Sequence, residues 1–240
     1  MTLLFVPGSP ALVPELSPTD TAAATVRTCV HKVLDQRQPG AIDVVGARDQ
    51  SLYTAHTGSF RAWGVDVTVG FGNYLPELIA AYLLGPAWSG KVVDSRSRIG
   101  QPDPGRLTVV VLDGSAGIDP RAPLSLVETA PAIHRACGEL LAGKLSHPWD
   151  EITQAGGGEF SARMSNLEGH LREGGIIDPR LWVEAACLLS QHTGNIGDTG
   201  AGAASESTLR CRLLNEHIAH GVGRFVAVWE LPRFDSHHVA

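Results

Sequence analysis

Apolar residues fall along this chain in short runs broken by turn formers. Residues 2–6 are an apolar stretch closed by Pro7-Gly8-Ser9-Pro10, the pattern of a buried strand ending in a tight turn. Val26, Cys29, Val30, Val33 and Leu34 recur at helical spacing, which predicts an amphipathic helix stopped by Pro39-Gly40. Residues 42–46 predict a second buried strand. Val65, Val67 and Val69 alternate with Asp66 and Thr68, as in a half-buried strand. Leu75–Leu84 reads as a helix with Asn73 as its cap and Pro76 in its first turn. Residues 107–112 (LTVVVL) have the β-branched continuity of a strand covered on both faces. Helices are predicted around 129–141 and 181–191, and strands over 208–214 and 224–231, joined by a glycine-containing turn. Residues 194–207 read as a flexible loop and 234–240 as a disordered tail.

Strands alternating with helices predict an α/β domain over residues 1–233. Its central, mostly parallel sheet is flanked by helices on both faces, with the last two strands antiparallel at one edge. Such sheets bind ligands beyond the carboxyl ends of their strands. Residues 7–10, 46–49 and 113–119 occupy that position, so Pro7, Gly8, Ser9, Arg48, Asp49, Asp113, Gly114, Ile118 and Asp119 are the expected lining of a cleft.

Composition narrows the classes. The chain has 240 residues, 43% hydrophobic and 18% charged, which excludes an intrinsically disordered protein. A net charge of −6 argues against nucleic acid as a partner. No apolar run approaches the roughly 20 residues of a membrane span. The opening MTLLFVPGSP lacks the pattern of a signal peptide. The four cysteines are scattered without a paired motif, so a cytoplasmic location is expected.

Several of these segments carry a resemblance. The run Val6-Pro7-Gly8-Ser9-Pro10 resembles the opening of the class III extradiol ring-cleavage dioxygenases (the LigB-type catalytic subunit), where a His-Gly-Ser-Pro type turn supplies an iron ligand. Asp43-Val44-Val45-Gly46-Ala47-Arg48 is similar to the family's second strand and its Ser-Ala-His-Trp type turn, with Arg48 in the place of the ligand histidine. Asp113-Gly114-Ser115-Ala116-Gly117-Ile118 is similar to its Gly-Ser-x-x-His turn, with Ile118 in the place of the acid/base histidine. The closing run from Gly221 to Trp229 resembles small actinobacterial members of the same superfamily, as do residues 57–67 and 112–123. The resemblance implies a LigB-like fold.

It also implies that the three signature histidines are replaced by Pro7, Arg48 and Ile118. Proline, arginine and isoleucine cannot ligate a metal. The third iron ligand aligns either with Ile152 or with Glu184, and one carboxylate does not hold Fe(II). The first expectation is therefore a divergent relative without metal and without ring cleavage. Its cleft would take a small anionic or aromatic ligand, with Arg48 as the cation, or a partner subunit; Arg48 paired with a nearby acid is the competing reading. A homodimer is a further expectation. A second reading keeps an Fe(II) dioxygenase with displaced ligands drawn from Glu184, His217 and His220. A third is a serine hydrolase in which Ser115 is the nucleophile, with Asp178 or Glu184 and then His217 or His220 completing the triad.

Overall fold

A computed structural model describes residues 1–152, 160–193 and 209–232. The elements in chain order are β1 (Thr2–Pro7), α1 (Ala22–Arg37), β2 (Ile42–Val45), α2 (Leu75–Leu84), a one-turn α3 (Pro86–Ser89), β3 (Val92–Arg96), β4 (Leu107–Leu112), α4 (Ala130–Leu141), α5 (Phe160–Glu173), α6 (Arg180–Thr193), β5 (Arg210–Ala219) and β6 (Val222–Glu230). They build one six-stranded sheet in the order β3-β2-β4-β1-β6-β5. The first four in that order run parallel, β6 is antiparallel to β1, and β5 is antiparallel to β6. The fold is α/β with a mixed, mostly parallel sheet.

The central strands β1 and β4 are buried along almost their whole length and are apolar at all but Thr2 and Thr108, because both faces are covered. Leu3 and Phe5 of β1, with Val110 and Leu112 of β4, enter a core closed by α4, α5 and α6. Their neighbours Leu4, Val6, Val109 and Val111 enter a second core closed by α1 and α2. Each strand thus feeds two cores by its period of two. The resulting register sets Pro7 opposite Leu112, so β1 and β4 finish side by side.

Several local expectations are corrected. Residues 65–69 are not a strand. Ser59 and Thr68 form an isolated antiparallel bridge, and the valines pack on the second core from a loop outside the sheet. Asn73 does not cap α2: Glu77 reaches back so that its carboxylate accepts from the backbone N–H groups of Asn73 and Tyr74 at 2.9 and 3.3 Å. β3 escapes the hydrophobic pattern because it is a short edge strand with Asp94, Ser95 and Arg96 among its five residues. α5 escapes it because Leu167 and Leu171 are its buried positions, half of a normal stripe. Gly174 and Gly175 end α5, with Gly175 at φ +83°. The hairpin is longer than its apolar core suggests, and its tip is a two-residue turn, His220-Gly221, with both φ values positive. His217 therefore lies in β5 and His220 in the turn. The expected loop 194–207 and the expected tail 234–240 both lie wholly outside the described residues. No helix among the described residues is long and apolar enough to cross a membrane.

Candidate functional site

Because β1 and β4 are adjacent and parallel, the segments that follow them leave the same edge of the sheet. Gly8 follows β1 and Asp113 follows β4. They are in contact: a Cβ built on Gly8 would lie 2.4 Å from Asp113 Oδ1. The next residue, Gly114, is pressed against the hairpin, where a Cβ would lie 1.9 Å from the carbonyl oxygen of Gly223. Backbone bonds fix this docking, from Gly223 N to Ser115 O at 2.8 Å and from Ile118 N to Gly221 O at 3.0 Å. On the other side the α5–α6 junction is held by Ala116 N donating to Gly175 O at 2.9 Å.

These segments enclose a cleft of about 930 Å³. Residues 8–11 form one wall, and Asp113, Gly114 and Ala116 form its floor. Arg172, Ile177, Asp178 and Arg180 come from the helix junction, His220, Val222 and Arg224 from the hairpin, and Asp49, Ser51 and Leu52 from the segment after β2. A groove of similar volume, about 940 Å³, runs along α1 past Arg27, His31 and Lys32, away from the strand ends. The strand-end cleft is the better candidate, since parallel α/β sheets bind ligands there.

Of the residues singled out in the sequence, Gly8, Ser9, Asp49, Asp113, Gly114, Asp178 and His220 line this cleft. The others are placed elsewhere. Pro7 is buried as the last residue of β1. Arg48 turns towards the β3 edge, where Nε donates to Glu77 Oε1 at 2.9 Å and Nη2 to the carbonyl of Ser95. It is the paired arginine of the competing reading, not a cation in the cleft. Ile118 lies against Gly223, and Asp119 accepts from the backbone N–H of Arg121 at 2.7 Å. Ser115 is fully buried, and its hydroxyl donates to Gly174 O at 2.6 Å. That bond makes it a structural clasp, and no histidine partners its hydroxyl among the described residues, so the triad is not assembled there. Glu184 belongs to a separate depression of about 490 Å³, accepting from Ile99 N at 2.7 Å and Arg98 Nη1 at 2.8 Å. Ile152 is buried in the core beneath α4 to α6.

The donor set does not fit ferrous iron. Pro7, Arg48 and Ile118 offer no lone pair, and Glu184 is engaged in another depression. His217 lies on the exposed part of β5, so Glu184, His217 and His220 do not converge as displaced ligands. Among the described residues, no group of three or more histidine, cysteine or acidic side chains is placed to hold a metal ion.

The charges around the cleft are mostly neutralised in pairs. Asp178 takes Arg180 Nε at 3.2 Å and Nη2 at 3.0 Å, and Glu168 takes Arg172 Nη2 at 3.0 Å. Asp49 accepts from the backbone N–H and hydroxyl of Ser51, which hold its carboxyl below the usual range. Asp113 is different. Its carboxyl accepts no hydrogen bond from the described residues, while its carbonyl takes the indole N–H of Trp182 at 2.8 Å. Burial, reinforced by the charge of Asp178, pushes the Asp113 carboxyl up to about 6.

Arg224 in the cleft wall and its partner Asp20, which belongs to the groove along α1, both escaped sequence reasoning. Arg224 is fully buried, forms a 2.5 Å ion pair from Nη1 to Asp20 Oδ2, and has Nε and Nη2 without a hydrogen-bond acceptor among the described residues. A lone arginine immediately before the apolar run Phe225–Trp229 was its visible signal. Asp20, one residue before the Thr21 N-cap, also holds the first turn of α1, with Oδ1 accepting from Ala22 and Ala23 N–H at 3.0 and 3.2 Å. No protein-family model and no curated protein matches this chain.

Proposed function

We propose that the protein is a divergent relative of the LigB-type extradiol dioxygenases that binds a small carboxylate or phenol in its strand-end cleft and does not cleave rings. The observation that carries this reading is the convergence of the segments after β1 and β4 on one cleft. Those are the turns that resemble the family's histidine-bearing turns, and here they bring Gly8, Ser9, Asp113 and Gly114 rather than metal donors. Aliphatic and proline side chains, among them Pro10, Leu52, Leu75 and Ile177, suit a hydrocarbon or aromatic body. The unaccepted N–H groups of Arg224 behind the wall favour a ligand rich in acceptor oxygens. The guanidinium donors are thus assigned to Arg224, whose charge is balanced by Asp20 but whose Nε and Nη2 have no acceptor among the described residues, in place of Arg48.

Protocatechuate, an aromatic carboxylate with phenolic hydroxyls, tests the reading. Purified protein is incubated anaerobically with Fe(II), desalted and assayed for bound iron, then for oxygen uptake with protocatechuate. Calorimetry measures binding without metal. The expected result is saturable binding, lost in Ala11→Trp, which fills the cleft, with no retained iron and no oxygen consumed. Stoichiometric iron with oxygen uptake overturns the loss of ring cleavage, and absent binding overturns the ligand site.

A further inference from the structure

The charged groups that face the cleft are Asp49, Asp113, Arg172, Asp178, Arg180, His220 and Arg224. Apart from Asp113, each has a charged or hydrogen-bonding partner. Arg180 holds Asp178, Arg172 holds Glu168 and Arg224 holds Asp20. Asp49 holds Ser51, and His220 Nε2 lies 3.3 Å from Ser17 Oγ and 3.8 Å from Asp20 Oδ2. Asp113 is left with a carboxyl in the cleft floor and no donor from the described residues. Glycine at position 8 lets Oδ1 keep this place, since a Cβ there would lie 2.4 Å from it. Its main chain is anchored by the Trp182 indole, so the carboxyl is held in place without being neutralised.

We propose that Asp113 is the proton-sharing residue of the cleft, which binds a carboxylate ligand by donating the hydrogen bond of its neutral carboxyl to the ligand's oxygen. The inference rests on the ligand-binding reading above. In this step the proton stays between two oxygens, no bond to carbon changes, and nothing is oxidised or reduced. The apolar floor and the Asp178 charge favour the neutral acid, which supplies a donor where an ionised aspartate would repel the ligand. An arriving carboxylate then draws a proton from solvent onto Asp113 whenever the pH lies above that carboxyl's own transition. Affinity must therefore fall with rising pH, by up to about tenfold per unit above that transition.

Protocatechuate is again the probe, because its carboxylate stays charged and its phenols stay neutral across about pH 5 to 8. Calorimetry at each pH, in two buffers of different protonation enthalpy, gives both affinity and protons taken up. The wild type is expected to lose at least tenfold in affinity between pH 5 and pH 8 and to take up about one proton per ligand near pH 8. Asp113→Asn keeps a cleft donor and should bind with no pH dependence. Asp178→Asn leaves Asp113 intact and should move the transition to lower pH, which guards against an Asp113 variant that does not fold. Carbon NMR of the aspartate carboxyls, assigned by difference with Asp113→Asn, reads the same group without ligand. Binding by the wild type that ignores pH, or an equal slope in Asp113→Asn, overturns the proposal while leaving the ligand site standing. No binding at any pH, with the Asp113 resonance titrating near 6, removes the ligand site and this proposal with it.

Discussion

Asp43 and Asp113 sit on neighbouring strands of the same sheet, and their surroundings are opposite. Asp43, within β2, is buried with 3% of its side chain exposed, and Arg96 and Arg106 donate to its two oxygens at 2.9 and 3.0 Å. Asp113, just past β4, has no donor among the described residues while Asp178 faces it with a like charge. A carboxylate that only holds a structure together is satisfied by its neighbours; one left unsatisfied beside a cavity is a candidate for chemistry. The contrast separates a stabilising region on the β2–β3 side from a strained one at the cleft.

Removing the two carboxylates tests the contrast most sharply. Asp43→Ala strands two partly buried guanidinium groups and should cost about 3 kcal/mol, read from urea unfolding at pH 7. Asp113→Asn should act in the opposite direction. A carboxyl raised from an aspartate's usual 3.8 to about 6 is protonated more readily in the folded state than in the unfolded state. Its contribution is nil below about pH 4, becomes unfavourable as pH rises to 6, and levels off at about 3 kcal/mol above that. Asp113→Asn should therefore gain about 1–3 kcal/mol at pH 7.5 and almost nothing at pH 4. Equal losses for both variants at pH 7.5 would erase the distinction.

The next test works through a glycine. Gly8→Ala places its methyl group against Asp113 Oδ1, the end of a side chain that can turn away. A cost of about 1 kcal/mol is expected, with a changed pH response at Asp113. Gly114 provides the control, because there the obstacle is the Gly223 backbone and no side chain can yield. Gly114→Ala should cost several times more, and melting both variants at pH 5 and pH 7.5 separates the two effects.

The fold was largely legible because apolar continuity reports burial directly. LTVVVL could be read as a strand covered on both faces, and the turn formers at Gly8 and Gly114 marked where strands end. What could not be read was direction. Arg48 follows a strand that ends near the cleft, yet its side chain is drawn the other way by Glu77, which lies 29 residues on and belongs to α2. Ser115 stands after the best strand in the chain, but Gly174, 59 residues away, takes its hydroxyl. Arg224 was visible as a charge in an apolar strand, while its partner Asp20 lies more than 200 residues earlier. Strand ends are local properties of sequence; the orientation of a charge is set by a partner that only the folded chain brings near.

The smallest expected effect concerns Arg48, and it probes the well-satisfied region from its rim. Burial pushes the Glu77 carboxyl up, but N–H donation from Asn73, the Ser95 hydroxyl and the Arg48 guanidinium together hold it below the ordinary glutamate range. A carboxyl lowered in this way stabilises the fold above its unfolded pKa, and that stability is lost as pH falls through the folded value. Arg48→Gln removes one of several donors from a pair whose arginine side chain is 36% exposed, so the loss at pH 7 should stay under about 1 kcal/mol. The loss should shrink further below pH 4, where Glu77 becomes neutral with or without the arginine. Protocatechuate affinity should not change, because Arg48 lies outside the cleft wall. A large fall in affinity with stability intact would return Arg48 to the ligand site and transfer the role assigned to Arg224.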